Sequence, residues 1–338
     1  MSYLLIFLGI ILLYTGGELL VRNASHLART FGLSSLVIGL TVVAFGTSSP
    51  ELATTLLSTL EGSPEVAVGN VIGSNIANIG FILGLTALIY PLQSARAFIR
   101  RELPFMIAVG ALLIPVFWDG VAARYEGAAL LALLVGYLVY QFWQSGRAKR
   151  RAGHGKGADE APATFQALDV SSSPDTKTDT EPADAELPAT VPLWRAVLGV
   201  ALGIGVLVAG AQALVSGAVT VAQGFGVPER VIGLTLVALG TSLPELASSL
   251  VAAVRREADI ILGNVVGSNV FNSLAILGVT ALARPVRTDY ADVQLDLWVM
   301  LALSIFLLPL MLGNYRLGRR GGAALLASYA AYMVFLFL

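Results

Sequence analysis

One stretch of this chain is written twice. Residues 39–84 open GLTVVAFGTSSPELATT and close GNVIGSNIANIGFILG, while residues 233–278 open GLTLVALGTSLPELASS and close GNVVGSNVFNSLAILG. The copies keep a constant offset of 194 residues with no gap, and 23 of their 46 positions are identical, so both must fold alike. Each copy carries one glutamate, Glu51 or Glu245, inside an otherwise uncharged run.

What surrounds the copies sets the solvent. Hydrophobic residues make up 56% of the chain, charged residues only 13%, and mean hydropathy is +0.77. A soluble domain carries about twice that charge. Apolar runs recur at lengths above ~20 residues, enough to cross a hydrocarbon core of roughly 30 Å as helix. Ten candidate spans lie near 3–25, 34–60, 65–90, 103–118, 122–143, 194–219, 228–253, 259–283, 294–312 and 321–338. The first, MSYLLIFLGIILLYTGG, lacks the basic region and small-residue cleavage site of a signal peptide and reads as a retained span.

Residues 145–192 are of another kind. They begin basic (Arg147, Lys149, Arg150, Arg151, Lys156), then turn acidic and rich in Ala, Pro, Ser and Thr. Such a segment cannot bury enough apolar surface to fold, which predicts a disordered linker between two membrane regions, 1–144 and 193–338. Each region holds five spans, so the second enters the bilayer from the opposite side. Lys and Arg positions agree with a cytoplasmic linker. Seventeen fall on that side, among them Arg22, Arg29, Arg100, Arg101, Arg255, Arg256 and Arg319; only Arg124, Arg230, Arg284 and Arg287 fall outside. Equivalent turns carry opposite charge bias: Glu61–Glu65 reads EGSPE and Arg255–Asp259 reads RREAD. The predicted fold class is an all-α polytopic membrane protein, with ten transmembrane helices as two inverted five-helix repeats and both termini outside. Inverted repeats place a transport site near the midplane where they meet.

The repeated stretch supplies the chemistry. Pro50 lacks a backbone donor and biases the residues before it away from helix, so a break should free the carbonyls of Ala44 to Thr47. Ser48 or Ser49 can cap the restarted helix. Thr47 and Ser48 precede Glu51 by four and three residues and share its face. Carbonyls, hydroxyls and a carboxylate form an oxygen-only site suited to hard cations such as Ca²⁺ or Na⁺. Thr241, Ser242, Pro244 and Glu245 repeat the arrangement. In the third span Asn70, Ser74 and Asn78 form one polar stripe, echoed by Asn264, Ser268 and Asn272 in the eighth. Gly69 and Gly73, Gly80 and Gly84, and Gly263 and Gly267 are small-residue pairs that let helices approach.

Of 22 acidic residues, only Glu51, Glu245 and Glu18 fall well within apolar spans. A carboxylate there costs a few kcal/mol and marks function by default. Glu18 aligns with Gln212 and is expected to pair with Arg22 one turn on. The chain has no Cys, and His26 and His154 lie far apart, which removes thiolate and zinc-type sites and leaves an enzyme without its usual nucleophile or base. Two carboxylates per chain do not make the charged ring of a cation channel. No basic stripe outside the loops suggests nucleic acid, and no cofactor is expected.

The paired GTSxPE and GNxxGSNxxN motifs closely resemble the α-repeats of the cation/Ca²⁺ exchanger superfamily, the sodium/calcium exchangers and their bacterial relatives. The resemblance covers both copies and, more loosely, the ten-span plan. It implies an antiporter of the cell inner membrane that exchanges Ca²⁺ for Na⁺ by alternating access, at a site between the second, third, seventh and eighth helices. Carried over residue by residue, it sets Ca²⁺ between Glu51 and Glu245, helped by the carbonyls of Thr47 and Thr241. Sodium sites would flank it at Ser48, Ser74, Ser242, Ser268 and the carbonyls of Ala44 and Ala238, with Asn78 and Asn272 completing the centre. There is one departure: sodium/calcium exchangers often carry aspartate where this chain has Asn272. Asparagine in both copies also occurs in proton-coupled relatives, which keeps Ca²⁺/H⁺ antiport as the alternative. The linker is too short for the folded calcium-sensing domains of the large animal exchangers, and no obligate protein partner is expected beyond the lipid bilayer.

Overall fold

Apolar sequence becomes helix almost throughout the computed structural model, which describes residues 2–153, 192–225, 238–312 and 314–337. Helix α1 (Ser2–Phe31) is followed by α2 (Ser35–Ile38), capped by Ser34, whose hydroxyl accepts the Val37 amide at 3.3 Å. A π-helical turn at Gly39–Val43 leads into α3 (Ala44–Thr47), then α4 (Ser49–Leu60) and α5 (Pro64–Ala77). A second π turn at Asn78–Leu83 joins α5 to α6 (Gly84–Ile89), and α7 (Leu103–Phe117) and α8 (Arg124–Gly153) complete the first half. The second half runs α9 (Leu193–Gly224), α10 (Ala238–Thr241), α11 (Leu243–Val254), α12 (Ala258–Phe271), a π turn at Asn272–Ile276, α13 (Leu277–Ala283), α14 (Tyr290–Leu312) and α15 (Arg319–Phe337). From α3 to α5 and from α10 to α12 the elements start and stop at positions offset by the same 194 residues as the sequence repeat.

Among the described residues six helices are long and apolar enough to cross a membrane, or up to seven if the pair Ser35–Thr47 and Ser49–Leu60, bent by 45°, is one span. The expected span at 34–60 is therefore a broken one, and the first part of the expected span at 228–253 lies outside the described residues. Helix α8 runs on to Gly153, past the expected linker boundary; residues 154–191 also lie outside them. The expectation of a purely helical fold needs a small correction. Loop residues form two antiparallel ladders, β1 (Leu92–Gln93) with β4 (Arg316–Leu317) and β2 (Val121–Ala122) with β3 (Val286–Arg287). Each ladder ties a loop of one half to a loop of the other, a long-range pairing that no local pattern announces.

Burial sorts the helices. The best apolar window is 72% buried for Pro64–Ile89 and 94% for Ala258–Ala283, against 33% for α1 and 28% for α9. The two spans that carry the GNxxGSNxxN stretches thus form the centre, and the glycine-studded α1 and α9 lie at the periphery. Helices α1 and α9 run antiparallel with backbone against backbone. A Cβ on Gly9 would stand 2.6 Å from the Leu214 nitrogen, and one on Gly203 would stand 2.7 Å from that of Leu20. Two of the repeat's small pairs work similarly: a Cβ on Gly263 would meet the Leu36 carbonyl at 2.6 Å, and one on Gly84 the Gly322 carbonyl at 3.0 Å, whereas Gly69 and Gly73, expected to do the same, have nothing within 4 Å.

Candidate functional site

The break before each proline positions the site. Pro50 and Pro244 offer no N–H, so the helix cannot pass through unchanged, and it resumes one residue on from Ser48 (φ −83°, ψ 7°) and Ser242 (φ −88°, ψ 5°). Neither serine caps the restarted helix. Ser49 returns its hydroxyl to the Phe45 carbonyl at 2.9 Å. Ser48 instead reaches across the molecule and donates to Glu245 Oε1 at 2.9 Å, and Ser242 donates to Glu51 Oε1 at 3.2 Å. An N-cap hydroxyl accepts a backbone N–H from an extended residue, and here the serine backbone is not extended and the proline in the first turn has no N–H to give, so the expected cap does not form.

This crossed pair brings the two copies together. Glu51 and Glu245 are each 1% exposed, and Thr47, Ser48, Ser74, Asn78, Ser242, Ser268 and Asn272 are buried around them. Thr47 donates to Asn264 Oδ1 at 3.1 Å, and Thr241 donates to Asn70 Oδ1 at 3.4 Å. Asn70 in turn donates to the Glu51 carbonyl at 3.3 Å and to Thr55 at 2.9 Å; Asn264 donates to Ser248 at 3.2 Å. Ser242 lies 3.5 Å from Ser74, and Asn78 donates to Asn269 Oδ1 at 3.0 Å. Each polar stripe thus leans on the broken helix of its own copy and on the other copy.

One expectation about the backbone fails. The Ala44 carbonyl is not released at the break: it accepts the Ser48 amide at 3.0 Å and the Thr47 hydroxyl at 3.4 Å. The helix holds its hydrogen bonds as far as the Ser48 amide, two residues before the proline. Ala238 begins α10, where the turn is tighter and the Ser242 amide bonds Leu239 rather than Ala238, at 3.2 Å.

The site holds more acceptors than donors. Nine buried side-chain polar atoms have no partner among the described residues, and six of them belong to Glu51, Glu245, Asn78, Ser268 and Asn272. Both carboxylates keep Oε2 unpartnered while Oε1 is held by serine. A buried polar atom without a partner costs about 1–3 kcal/mol, and more when charged. A cation is the ligand that satisfies a cluster of lone pairs at once, and an all-oxygen set suits a hard one. Among the described residues no group of three or more His, Cys, Asp or Glu side chains comes together. The buried cluster itself offers two carboxylates, Glu51 and Glu245, with neutral oxygens around them.

Asn75 and Asn269, which the repeated GSN motif leaves open between helix packing and the site, sit beside it, Asn75 donating to Ser273 at 2.9 Å and Asn269 to the Asn75 carbonyl at 3.3 Å. Two further acids lie on membrane helices away from it. Glu102, only 6% exposed, accepts from Tyr137 at 2.9 Å and Gln141 at 2.6 Å; Asp296 accepts from Tyr332 at 2.9 Å. Glu102 and Asp296 are themselves related by the 194-residue offset, but they lie beyond the near-identical stretch that ends at Gly84 and Gly278. Glu18 does not pair with Arg22. Its partner is Arg255, whose Nε donates to Oε2 at 2.8 Å while Nη2 bonds Oε1.

Known proteins share this architecture. The family model described as sodium/calcium exchanger protein matches residues 1–143 and 195–338. A protein of Alkalimonas amylolytica named CaxA is 39% identical over 336 residues, covering 98% of this chain and 97% of its own. The sodium/calcium exchanger MaX1 of Methanosarcina acetivorans is 30% identical over 360 residues, covering 99% of this chain and 98% of its own. A solved structure of the sodium-calcium exchanger NCX_Mj, soaked with 10 mM Na⁺ and 10 mM Sr²⁺, superposes with a TM-score of 0.78 at 29% identity over 98% of this chain and 97% of that one. The paired repeats, the crossed carboxylates and these matches across both halves make the chain an integral membrane protein of the sodium/calcium exchanger family.

Proposed function

We propose that this chain is a secondary antiporter that exchanges Ca²⁺ for Na⁺ across the cytoplasmic membrane by alternating access. The observation that carries this reading is the crossed arrangement in which each glutamate is held by the other copy's serine and keeps one buried oxygen unpartnered. Two carboxylates give the site a charge of −2, which one Ca²⁺ or two Na⁺ balance. Either cargo satisfies the same lone pairs, so the two compete, and neutralisation lets the bundle pass a charge that would otherwise be stranded in the bilayer. Ca²⁺ would sit between Glu51 and Glu245 with the Thr47 and Thr241 carbonyls. Na⁺ would use Ser48, Ser74, Ser242, Ser268 and the Ala44 and Ala238 carbonyls, and Asn78 and Asn272 would line the centre. The Ala44 carbonyl, which accepts the Ser48 amide, keeps its second lone pair for Na⁺ when the Thr47 hydroxyl donates to Asn264 instead.

We read the membrane region as ten crossings in two inverted halves with the linker in the cytoplasm and both termini outside. The ladders support this: β1–β4 joins two loops that the Lys and Arg count assigns to the cytoplasm, and β2–β3 joins two that it assigns to the outside. Names of relatives support the ions, since MaX1 is called a sodium/calcium exchanger. The test is ⁴⁵Ca²⁺ uptake into vesicles loaded with Na⁺. Uptake that follows the Na⁺ gradient and disappears in Glu51→Gln and Glu245→Gln is expected; gradient-driven uptake that survives both substitutions would sink the reading. Asn78 and Asn272, neutral in both copies, favour one second reading, Ca²⁺/H⁺ antiport, which predicts uptake driven by a pH gradient in sodium-free buffer.

A further inference from the structure

Resting on that antiport reading, we propose that Glu18 and Arg255, with Ser25 and Glu257 beside them, form a latch that holds one of the two gates of the site shut. Arg255 directly follows α11, the helix whose first turn carries Glu245, and the turn it opens leads into α12 through Arg256 at φ 59°. Glu18 lies on α1 and binds Arg255 in a two-point pair; about two turns further along, Ser25 donates to Glu257 Oε1 at 3.2 Å. Next to this pair, on the side toward the site, the helices touch closely: a Cβ on Gly17 would stand 2.9 Å from Val251 Cγ2. Helix α1 is thereby clamped along α11 on the face that the charge count assigns to the cytoplasm.

The other gate has the same backbone plan and none of this chemistry. Moving each latch residue by 194 positions puts Gln212 for Glu18, Val219 for Ser25, Glu61 for Arg255 and Ser63 for Glu257. No ion pair can form from that set. Packing follows the chemistry. Val251 is 6% exposed beneath α1, whereas its counterpart Leu57 on α4 is 55% exposed, and α9 makes no comparable contact with α4. Two gates built from near-identical repeats therefore stand in different states, and the closed one is the one with the latch. To open it, the transporter must part Glu18 from Arg255, and the helix released carries the Glu245 carboxylate. The latch sets which face the resting site looks toward.

The chain has no cysteine, so two reporters can be read cleanly. Val251→Cys reports the latched gate and Leu57→Cys the open one, each labelled by a water-soluble maleimide in lipid nanodiscs, where both faces are accessible. Glu18→Gln or Arg255→Gln should raise the labelling rate at Val251→Cys by roughly two- to fivefold, the range of a half-exposed ion pair, and lower that at Leu57→Cys. The swap of Glu18→Arg with Arg255→Glu should restore both. Loosened folding would raise both rates together and overturn the proposal, as would rates that do not change or that the swap does not restore. Labelling needs no ion gradient, so loss of gradient-driven uptake in the parent protein would remove the antiport reading while leaving the two-gate measurement to stand or fall alone.

Discussion

Replacing Glu51 by glutamine keeps the volume of a buried side chain and removes one of the two negative charges where α4, α5, α11 and α12 meet. Both glutamates are 1% exposed, so little water is at hand to screen the change. Two unit charges about 4 Å apart are worth about 4 kcal/mol at an effective dielectric of about 20, the value suited to real protein sites, and a divalent ion doubles this to about 8 kcal/mol. The glutamine carbonyl remains a ligand and recovers part of this, leaving an expected loss of about 100- to 1,000-fold in Ca²⁺ affinity. Glu245→Gln should lose affinity to the same order, because the two carboxylates are equally buried and are held by matching serines. Equilibrium ⁴⁵Ca²⁺ binding to the purified protein, repeated at rising Na⁺, measures both variants and the competition. If one variant binds Ca²⁺ like the wild type while the other loses it, the ion rests on a single carboxylate and the shared-site reasoning fails.

Two further outcomes follow from packing and from the second pair of acids. Gly203→Ala would place a Cβ 2.7 Å from the Leu20 nitrogen and 3.1 Å from the Gly16 carbonyl, backbone that cannot step aside. It should destabilise the protein by about 1–3 kcal/mol. Gly205→Ala, on the same helix with nothing within 4 Å of the new Cβ, should instead stabilise by about 0.5–1 kcal/mol. Thermal melts in detergent read both, and shifts of the same sign would refute the close α1–α9 contact. Tyr137→Phe takes a donor from buried Glu102 and should cost about 1–3 kcal/mol. Tyr332→Phe should cost less in the same melt, since Asp296 is only half-buried.

What could be read from sequence was whatever the chain states locally or twice. The proline breaks and the helical spacing of Thr47, Ser48 and Glu51 are properties of short windows, the 194-residue register is a plain repetition, and the structure buries Thr47, Ser48 and Glu51 together. Contacts between distant segments were not legible. Spacing could say that Ser48 shares a face with Glu51, but not that its hydroxyl would serve Glu245, 197 positions away, in preference to capping its own helix. The same limit misassigned Glu18: Arg22 is the neighbour that helical spacing offers, while Arg255, 237 positions along the chain, is the one that α1 packing onto α11 brings to it. Repetition misleads in a second way, because equal sequences imply equal environments, and Val251 and Leu57 do not have them. A transporter built from two like halves must at any moment close one path and leave the other, so symmetry in the chain has to coexist with asymmetry in the fold. The residues that decide between the two paths are then to be sought where the copies differ, and Glu18 against Gln212, and Arg255 against Glu61, are such differences in charge.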